Sequence, residues 1–216
     1  MFVYNTRMAM FQGSLFDTAS EPRLRPLDCG MRRIPLSDGA WIDHLPGWVE
    51  RAELLFEDLV GRVEWRSEAR MMFDRTVDVP RLMASYGGDV PAPHPLLDEA
   101  KSTLTQHYRG LPGADLATIG LCLYRDGGDS VAWHGDTISG GVAEDALVAI
   151  MSLGWRRRLA LRPKGGGSRS LRFELGEGDL LVMGGSCQRT WEHSVPKTTR
   201  RVGPRVSVQF RPLGVR

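Results

Sequence analysis

The stretch Leu171–Gly185 reads LRFELGEGDLLVMGG. Two short apolar runs, Leu171–Leu175 and Asp179–Met183, flank the turn signal Gly176-Glu177-Gly178, and this order predicts two antiparallel strands joined by a tight turn. Working outward, further strands of the same kind are predicted between glycine-rich turns, at residues 117–124, 147–153, 158–162 and 205–210. Many short strands at regular spacing predict a mainly β (α+β) fold, a sandwich or a jelly roll.

Helical patterns precede the strands. Apolar residues recur at helical spacing from Trp48 to Val63 and again from Pro95 to Tyr108. Helices first and strands later predict a β-core braced by N-terminal helices. We therefore expect a single domain with an extended arm at residues 1–40, a helical part at 41–114 and the β-core at 115–216.

The composition is that of an ordinary globular protein. The chain has 216 residues, about one domain, with 42% hydrophobic and 25% charged residues. No apolar run approaches the roughly 18 residues of a membrane span, and the N-terminal residues show no secretory signal pattern. The cysteines Cys29, Cys122 and Cys187 are far apart and odd in number, which predicts a reducing, cytoplasmic location and no disulfide framework.

The charge is unevenly distributed. The formal net charge is +2, but residues 1–154 carry 14 basic and 22 acidic residues and residues 155–216 carry 14 basic and 4 acidic ones. A basic C-terminal third can meet a polyanion such as nucleic acid. The alternative is a bias of genome composition, because 25 of the 28 basic residues are arginine.

A histidine and an aspartate stand two residues apart in Trp133-His134-Gly135-Asp136. On a strand, side chains two apart leave the same face. An imidazole beside a carboxylate is two-thirds of the 2-His-1-carboxylate triad that holds non-haem Fe(II). In a chain with five histidines, such a pair arises by chance about a third of the time, so a surface pair beside a glycine turn stays open.

A third ligand must come from elsewhere in the fold, and His193 is the candidate. It lies in the short segment Trp191–Pro196, after the strong strand at 179–183. A jelly roll brings such distant strands face to face. Taken alone, His193 is better described as a structural histidine than as a ligand.

The last predicted strand has two different faces. One face is apolar, with Val206, Val208 and Phe210, and the other carries Arg205, Ser207, Gln209 and Arg211. Arginines inside a barrel need partners, and a dicarboxylate would bind them in bidentate geometry. Solvated arginines on an edge strand are the alternative.

Taken together, these motifs resemble the AlkB family of Fe(II)/2-oxoglutarate dioxygenases. The resemblance covers the chain from about Trp41 to Pro212. Its ordered matches are Val79-Pro80-Arg81-Leu82, Tyr86-Gly87, Leu123-Tyr124-Arg125-Asp126-Gly127, Trp133-His134-Gly135-Asp136, Ser152-Leu153-Gly154, Arg157, Arg162, Gly178–Gly185, Gln188, Trp191, His193, Val195-Pro196-Lys197 and Arg205 to Arg211.

The resemblance implies a double-stranded β-helix with a nucleotide-recognition lid in the region 41–114. It implies an enzyme that uses Fe(II), 2-oxoglutarate and O2 to remove alkyl groups from bases of DNA, releasing an aldehyde, succinate and CO2. Its partner would be alkylated nucleic acid, with neither a membrane nor an obligate protein partner. The implied metal ligands are His134, Asp136 and His193; the co-substrate residues are Tyr124, Arg205, Arg211, Cys122 and Ser207; the substrate residues are Tyr86, Arg81, Arg162, Thr137 and Ile138.

Four departures from the family pattern concern the co-substrate and the substrate. Cys122 and Ser207 stand where asparagine is usual. Thr137 and Ile138 replace acidic residues that contact the base in repair enzymes, and the lid segment from Tyr86 to His94 is short and lacks aromatic residues that stack on the base.

Two further interpretations follow. The same chemistry could act on RNA, a protein or a small molecule, or the chain could be a nucleic-acid-binding protein without catalysis, whose signature would be a broken triad. A zinc hydrolase is a third, but Gly135 and Thr137 offer no adjacent general base and the arginines of the last strand would go unexplained.

Overall fold

A computed structural model describes residues 21–72, 75–88, 90–136, 145–165 and 170–215, with the backbone alone at 69–72 and 75–78. Three α-helices are described, α1 (Ala52–Arg62), α2 (Pro95–His107) and α3 (Cys187–Thr190). The described strands are β1 (Arg23–Leu24), β2 (Arg32–Pro35), β3 (Trp41–Leu45), β4 (Val49–Glu50), β5 (Arg66–Met72), β6 (Arg75–Gly87), β7 (Leu116–Tyr124), β8 (Val131–His134), β9 (Val148–Gly154), β10 (Arg157–Pro163), β11 (Leu171–Leu175), β12 (Asp179–Gly184), β13 (Trp191–Val195) and β14 (Arg205–Pro212).

Two antiparallel sheets form a jelly roll, as the strand spacing predicts. The larger sheet has the order β2-β3-β12-β9-β14-β7-β6-β5, and the smaller has the order β11-β10-β13-β8. Strands close in sequence alternate between the two sheets, for example β9 and β12 in one and β10 and β11 in the other. This crossing is what brings distant strands together around a common interior.

One apolar core lies between the larger sheet and the helices. Leu55 and Leu59 of α1 and Leu97 and Leu104 of α2 are fully buried in this outer core. The outward face of β14 contributes Val206, Val208 and Phe210. Both the helical stripes and the apolar face of the last strand are therefore confirmed.

A second apolar core lies between the two sheets. It contains Ile150 and Leu181 of the larger sheet together with Leu161 and Trp191 of the smaller one. Buried polar residues of β13 and β14 lie beside this inner core, so the interior of the jelly roll is only partly apolar.

The N-terminal boundaries differ from the predicted ones. Residues 21–40 are more than an arm, because β2 pairs with β3 across the predicted boundary at residue 40 and Leu27 is buried. The predicted helix from Trp48 begins only at Ala52, since Val49 pairs with Leu24 in a two-stranded sheet. Here strand pairing prevails over helical spacing. Residues 1–20 lie outside the described part.

The hairpin β5–β6 is absent from the sequence-based expectations, although it extends the larger sheet beside β7. The strand β8 was likewise missed as an element. Among the described helices, none combines the length and apolar character needed to cross a membrane.

Candidate metal centre

Two neighbouring strands of the smaller sheet bring the two histidines together. His134 at the end of β8 lies directly opposite His193 on β13, and their ring centroids are 4.2 Å apart. Asp136 follows His134 by two residues, and one ligand atom from each of the three side chains lies within 4.8 Å of the others. The side chains of His134, Asp136 and the distant His193 thus meet at one point, as a metal site requires.

The Asp136 carboxylate is held by one oxygen. Arg211 Nη2 donates to Oδ1 at 3.1 Å, whereas Oδ2 is buried and has no hydrogen-bond partner among the described residues. Gln188 Oε1 also accepts from the Asp136 backbone N–H at 3.0 Å. The carboxylate is therefore fixed in orientation and presents one unpaired oxygen toward the histidines, which lies 4.0 Å from His193 Nε2.

The protonation states suit metal binding. Burial lowers the pKa of His193 to about 4, so its imidazole is neutral at pH 7. Burial works against the charge on Asp136, but Arg211 and the two histidines hold the pKa of that carboxyl below its usual value. Two imidazoles and one carboxylate on a single side of a site are the donor set of non-haem Fe(II) oxygenases.

We call the space between the polar inner faces of the two sheets the chamber, with the metal ligands on the smaller sheet. The buried Arg205 on the larger sheet forms its floor. Arg205 is 1% exposed, and its Nε donates to Ser152 Oγ at 2.7 Å. Its Nη1 is buried without a partner in the described structure, and its guanidinium lies 5.3 Å from the ring of Tyr124, the residue opposite it on β7. Burial lowers the pKa of Arg205 and raises that of Tyr124 to about 12. A buried cation with an unused donor fits an anionic ligand.

Further polar residues stand between Arg205 and Arg211 on the same face. Gln209 Nε2 donates to Ser207 Oγ at 2.7 Å and to Ser207 O at 2.9 Å. Its Oε1 lies 3.8 Å from Cys122 Sγ. Gly120, opposite Gln209 in the register, leaves the room: a Cβ there would come within 2.9 Å of Arg211 and 3.1 Å of Gln209.

The sequence profile of the 2OG-Fe(II) oxygenase superfamily matches residues 88–211, the span that contains all of these groups. The chain belongs to this superfamily. Membership implies Fe(II), 2-oxoglutarate and O2 as cofactor and co-substrates, and the metal centre and the Arg205 floor fit them. The predicted Fe(II)/2-oxoglutarate-dependent dioxygenase is confirmed as a family assignment.

Curated relatives identify the branch of this oxygenase superfamily. Alpha-ketoglutarate-dependent dioxygenase alkB homolog 3 of Homo sapiens is 30% identical over 184 residues, which are 77% of this chain and 64% of the relative. The DNA oxidative demethylase ALKBH2 of Arabidopsis thaliana is 30% identical over 192 residues, 72% of this chain and 60% of the relative. The resemblance to the AlkB family is confirmed, and the chain spans less than two thirds of the length of these relatives.

A solved structure supports the oxygenase fold. "The structure of OsALKBH1" superimposes with a TM-score of 0.56 and covers 84% of this chain and 100% of the other, at 15% sequence identity. At this identity the likeness concerns the fold alone. It agrees with the two-sheet jelly roll described above.

The residues expected to contact the oxygenase substrate are spread over several places. Arg81 lies near the chamber floor, with Nη1 donating to Ser130 O at 3.1 Å and a buried Nε without a described partner. Tyr86 lies opposite Ile119 and packs against the outer core, on the face of the sheet away from the metal ligands. The structure therefore does not bring Tyr86 to the metal centre.

Arg162 lies on the outer face of the smaller sheet, next to the histidine pair. It is opposite Glu192 on β13 and forms an ion pair with it at 3.0 Å, while its guanidinium lies 4.2 Å from the centre of the Trp133 ring. Thr137 and Ile138 lie outside the described residues.

Three residues of the oxygenase site were named in the sequence without a role. Gln188 orients the backbone of Asp136, Ser152 holds Arg205, and Gln209 holds Ser207. The alternation of β14 places Gln209 on the chamber face, so that one had a usable signal. No sequence pattern indicated the roles of Gln188 and Ser152, apart from their place among the motif matches.

Proposed function

We propose that this oxygenase removes alkyl groups from bases of nucleic acid, with DNA as its substrate, and releases an aldehyde, succinate and CO2. The observation that carries the proposal is the pairing of an intact His134–Asp136–His193 centre with the unpartnered Arg205 donor in one buried chamber. Relatives named as DNA oxidative demethylases support the choice of substrate class.

The metal ligands and the floor residues divide the work. His134, Asp136 and His193 hold the iron, and Arg205 with Tyr124 receives a carboxylate of 2-oxoglutarate. Bound iron and 2-oxoglutarate supply the activation of O2 for oxidation of an alkyl C–H bond. Arg211 joins the two groups, because it lies on the floor strand and donates to the metal ligand Asp136.

The protein around the centre orients these groups and excludes water. Asp136, His193 and Arg205 are each less than about a tenth exposed. His134 is positioned by a hydrogen bond of 2.9 Å between its Nδ1 and Ala132 O, which leaves Nε2 for the metal. A base can reach such a centre only when it leaves its stack, and single-stranded or damaged sites lower that cost.

The test is a turnover experiment with a panel of alkylated DNA and RNA oligonucleotides. The purified chain is loaded with Fe(II) and 2-oxoglutarate without oxygen, air is admitted, and loss of alkyl mass is read together with succinate. His134→Ala is the inactive variant, and His107→Ala, at the end of α2, is the matched control. Loss of an alkyl mass from DNA that needs His134 but not His107 is expected. Turnover retained in both His134→Ala and Asp136→Ala would overturn the proposal.

A second candidate keeps the chemistry and changes the substrate to RNA, a protein or a small molecule. One observation favours it. Thr137 and Ile138 carry no charge, and the carboxylate of Glu192 is already paired with Arg162. A cationic alkylated base therefore lacks the acidic partners that repair enzymes offer. Succinate formation without a mass change in any DNA oligonucleotide, and no DNA binding at low salt, would favour this candidate.

A further inference from the structure

An exposed tryptophan lies at the edge of the jelly roll away from the metal centre. Trp155 stands between β9 and β10 and is 54% exposed. β14 begins beside it, with Arg205 opposite Gly154, and reaches the metal centre at Arg211. Six steps of about 3.3 Å along this strand separate the Cα atoms of Arg205 and Arg211 by about 20 Å.

The segment before β14 holds Trp155 in place. Its backbone N–H donates to Pro204 O at 2.9 Å, and a Cβ on Gly203 would come within 2.9 Å of the ring. Arg157 reinforces the neighbouring loops by donating to Asp126 O at 2.7 Å and to Pro196 O at 3.0 Å. The exposed ring therefore rests on a backbone that is itself tied down.

Positive charges lie in the turns that adjoin this residue. Four cations are exposed in the adjoining turns and form no ion pair with any other described residue; they are Arg156, Lys197, Arg200 and Arg201. By contrast, Arg158 and Arg189 elsewhere on the surface are paired with carboxylates. The exposed carboxylates of the neighbouring turns are Asp126 and Glu177, so in these turns the cations outnumber the carboxylates four to two. We call Trp155 and these four cations the Trp155 face.

We propose that the Trp155 face binds single-stranded nucleic acid, as a second contact separate from the catalytic chamber. Guanidinium groups bind phosphates in bidentate geometry, and an exposed tryptophan stacks on an unpaired base of any sequence. An acidic peptide would pair with the cations, but its carboxylates offer no flat ring to stack on the tryptophan. The choice of nucleic acid rests on the proposed function.

The separation of the two sites predicts a dependence on substrate length. At about 3.4 Å per stacked nucleotide, 20 Å corresponds to at least about six nucleotides. A strand of about five nucleotides can therefore occupy the chamber alone. A strand of about 25 nucleotides can occupy the chamber and the Trp155 face together.

The test measures binding of the full chain to an unalkylated, fluorescently labelled single strand of about 25 nucleotides. Trp155→Ala is compared with Leu213→Ala, which shortens another exposed apolar side chain. The double variant Arg200→Glu, Arg201→Glu is compared with Arg172→Glu, an exposed cation of β11. Melting temperatures of all variants check that the fold is unchanged.

We expect Trp155→Ala to weaken binding about tenfold, the value of one stacked base. The double arginine variant lowers the slope of log affinity against log salt by about 1 to 2. Succinate formation on an alkylated strand of about five nucleotides stays at the wild-type rate in both. Leu213→Ala and Arg172→Glu leave the affinity for the long strand within twofold of the wild type.

Three outcomes would overturn the inference. Equal weakening of strand binding in the test and control variants would show that the Trp155 face is not a binding site, and it would leave the proposed function intact. Tighter binding of polyglutamate than of the strand would assign the face to an acidic peptide. A wild-type chain that binds no nucleic acid and turns over none would overturn the inference and the proposed function together.

Discussion

Gln209 contacts two residues that the family resemblance assigns to the co-substrate, Ser207 and Cys122. Ser207 and Cys122 stand where asparagine is usual, and Gln209 donates to the Ser207 hydroxyl at 2.7 Å while its Oε1 faces Cys122. Gln209→Leu keeps the volume and removes these contacts. We predict a KM for 2-oxoglutarate raised about tenfold with kcat nearly unchanged, the cost of about one hydrogen bond near a charged ligand. Succinate formation at varied 2-oxoglutarate measures both constants, and a fall in kcat alone would contradict the prediction.

The residues of the chamber were predictable to unequal degrees. The two-residue period of β14 is enough to place Arg205 and Ser207 on one face, and the structure confirms that face. The ion pair of Arg162 with Glu192 was not predictable, because it depends on the register between β10 and β13, which no local pattern encodes. The face on which Tyr86 lies depends on register in the same way, because a shift of one residue in β6 exchanges the chamber face for the helix face. Its contact with the substrate stays a prediction.

At the scale of the element, the metal site at the end of β8 depends on a glycine between two of its ligands. Gly135 lies between two ligands, and a Cβ there would come within 2.7 Å of Gln188 O and 3.2 Å of Trp191 O. Gly135→Ala must therefore push His134 and Asp136 away from β13. We predict metal affinity at least tenfold weaker, measured by competition for Fe(II) or Co(II) with a chelator. Gly61→Ala in α1, where a Cβ meets nothing within 4 Å, is the control and should leave affinity unchanged.

The loop from β7 to β8 depends on one carboxylate. Asp129 accepts two bonds from the Arg125 side chain, at 2.8 and 2.9 Å, and one from the Arg125 backbone N–H at 2.8 Å. Burial opposes its charge, but the bonds to Arg125 hold the pKa of Asp129 below its usual value. A carboxyl with a depressed pKa stabilises the fold above about pH 4, and this contribution disappears as the pH falls through the folded-state pKa.

Asp129→Asn should accordingly lower the free energy of unfolding by about 1 to 3 kcal/mol at pH 7. The difference from the wild type should shrink as the pH falls from about 5 towards 3, because the wild-type carboxyl then takes up a proton. Urea unfolding at three pH values measures it. Asp126→Asn in the same loop is the control, since Asp126 accepts one bond from Gly128. A difference that grows in acid would show that the pKa of Asp129 is raised in the folded state.

Two of the strands that the sequence did not predict, β8 and β13, share a physical property. β8 has four residues and is partly exposed, and β13 pairs with it irregularly between His193 and Val195. Such strands exist through their neighbours in the sheet and carry little alternating pattern of their own. The strands that face both cores, such as β9 and β12, carry long apolar runs and were predicted within one or two residues.

At the scale of the whole molecule, the candidate metal ligands and the residues expected to bind the co-substrate lie where the two sheets meet. His134 and His193 lie on the smaller sheet, and Asp136 follows the end of its strand β8 by two residues. Arg205, Ser207 and Tyr124 lie on the larger sheet. Among the described residues, the ion pair of Arg211 with Asp136 already links the two sets. A dicarboxylate held by Arg205 at one end and by the metal at the other would add a second link between the sheets.

This arrangement predicts cooperative stabilisation. A ligand that binds only the folded state raises the free energy of unfolding by RT ln(1 + [L]/Kd), about 2.7 kcal/mol at a hundredfold excess over Kd. With anaerobic Fe(II) or redox-inert Mn(II), 2-oxoglutarate should raise the melting temperature more than it does alone, because its affinity increases when both ends are held. Arg205→Lys should abolish the increment from 2-oxoglutarate and retain that from the metal, since a lysine cannot form the paired contacts of a guanidinium. Asp136→Ala should abolish the increment from the metal. Equal 2-oxoglutarate increments with and without metal would mean that the co-substrate does not connect the two sheets.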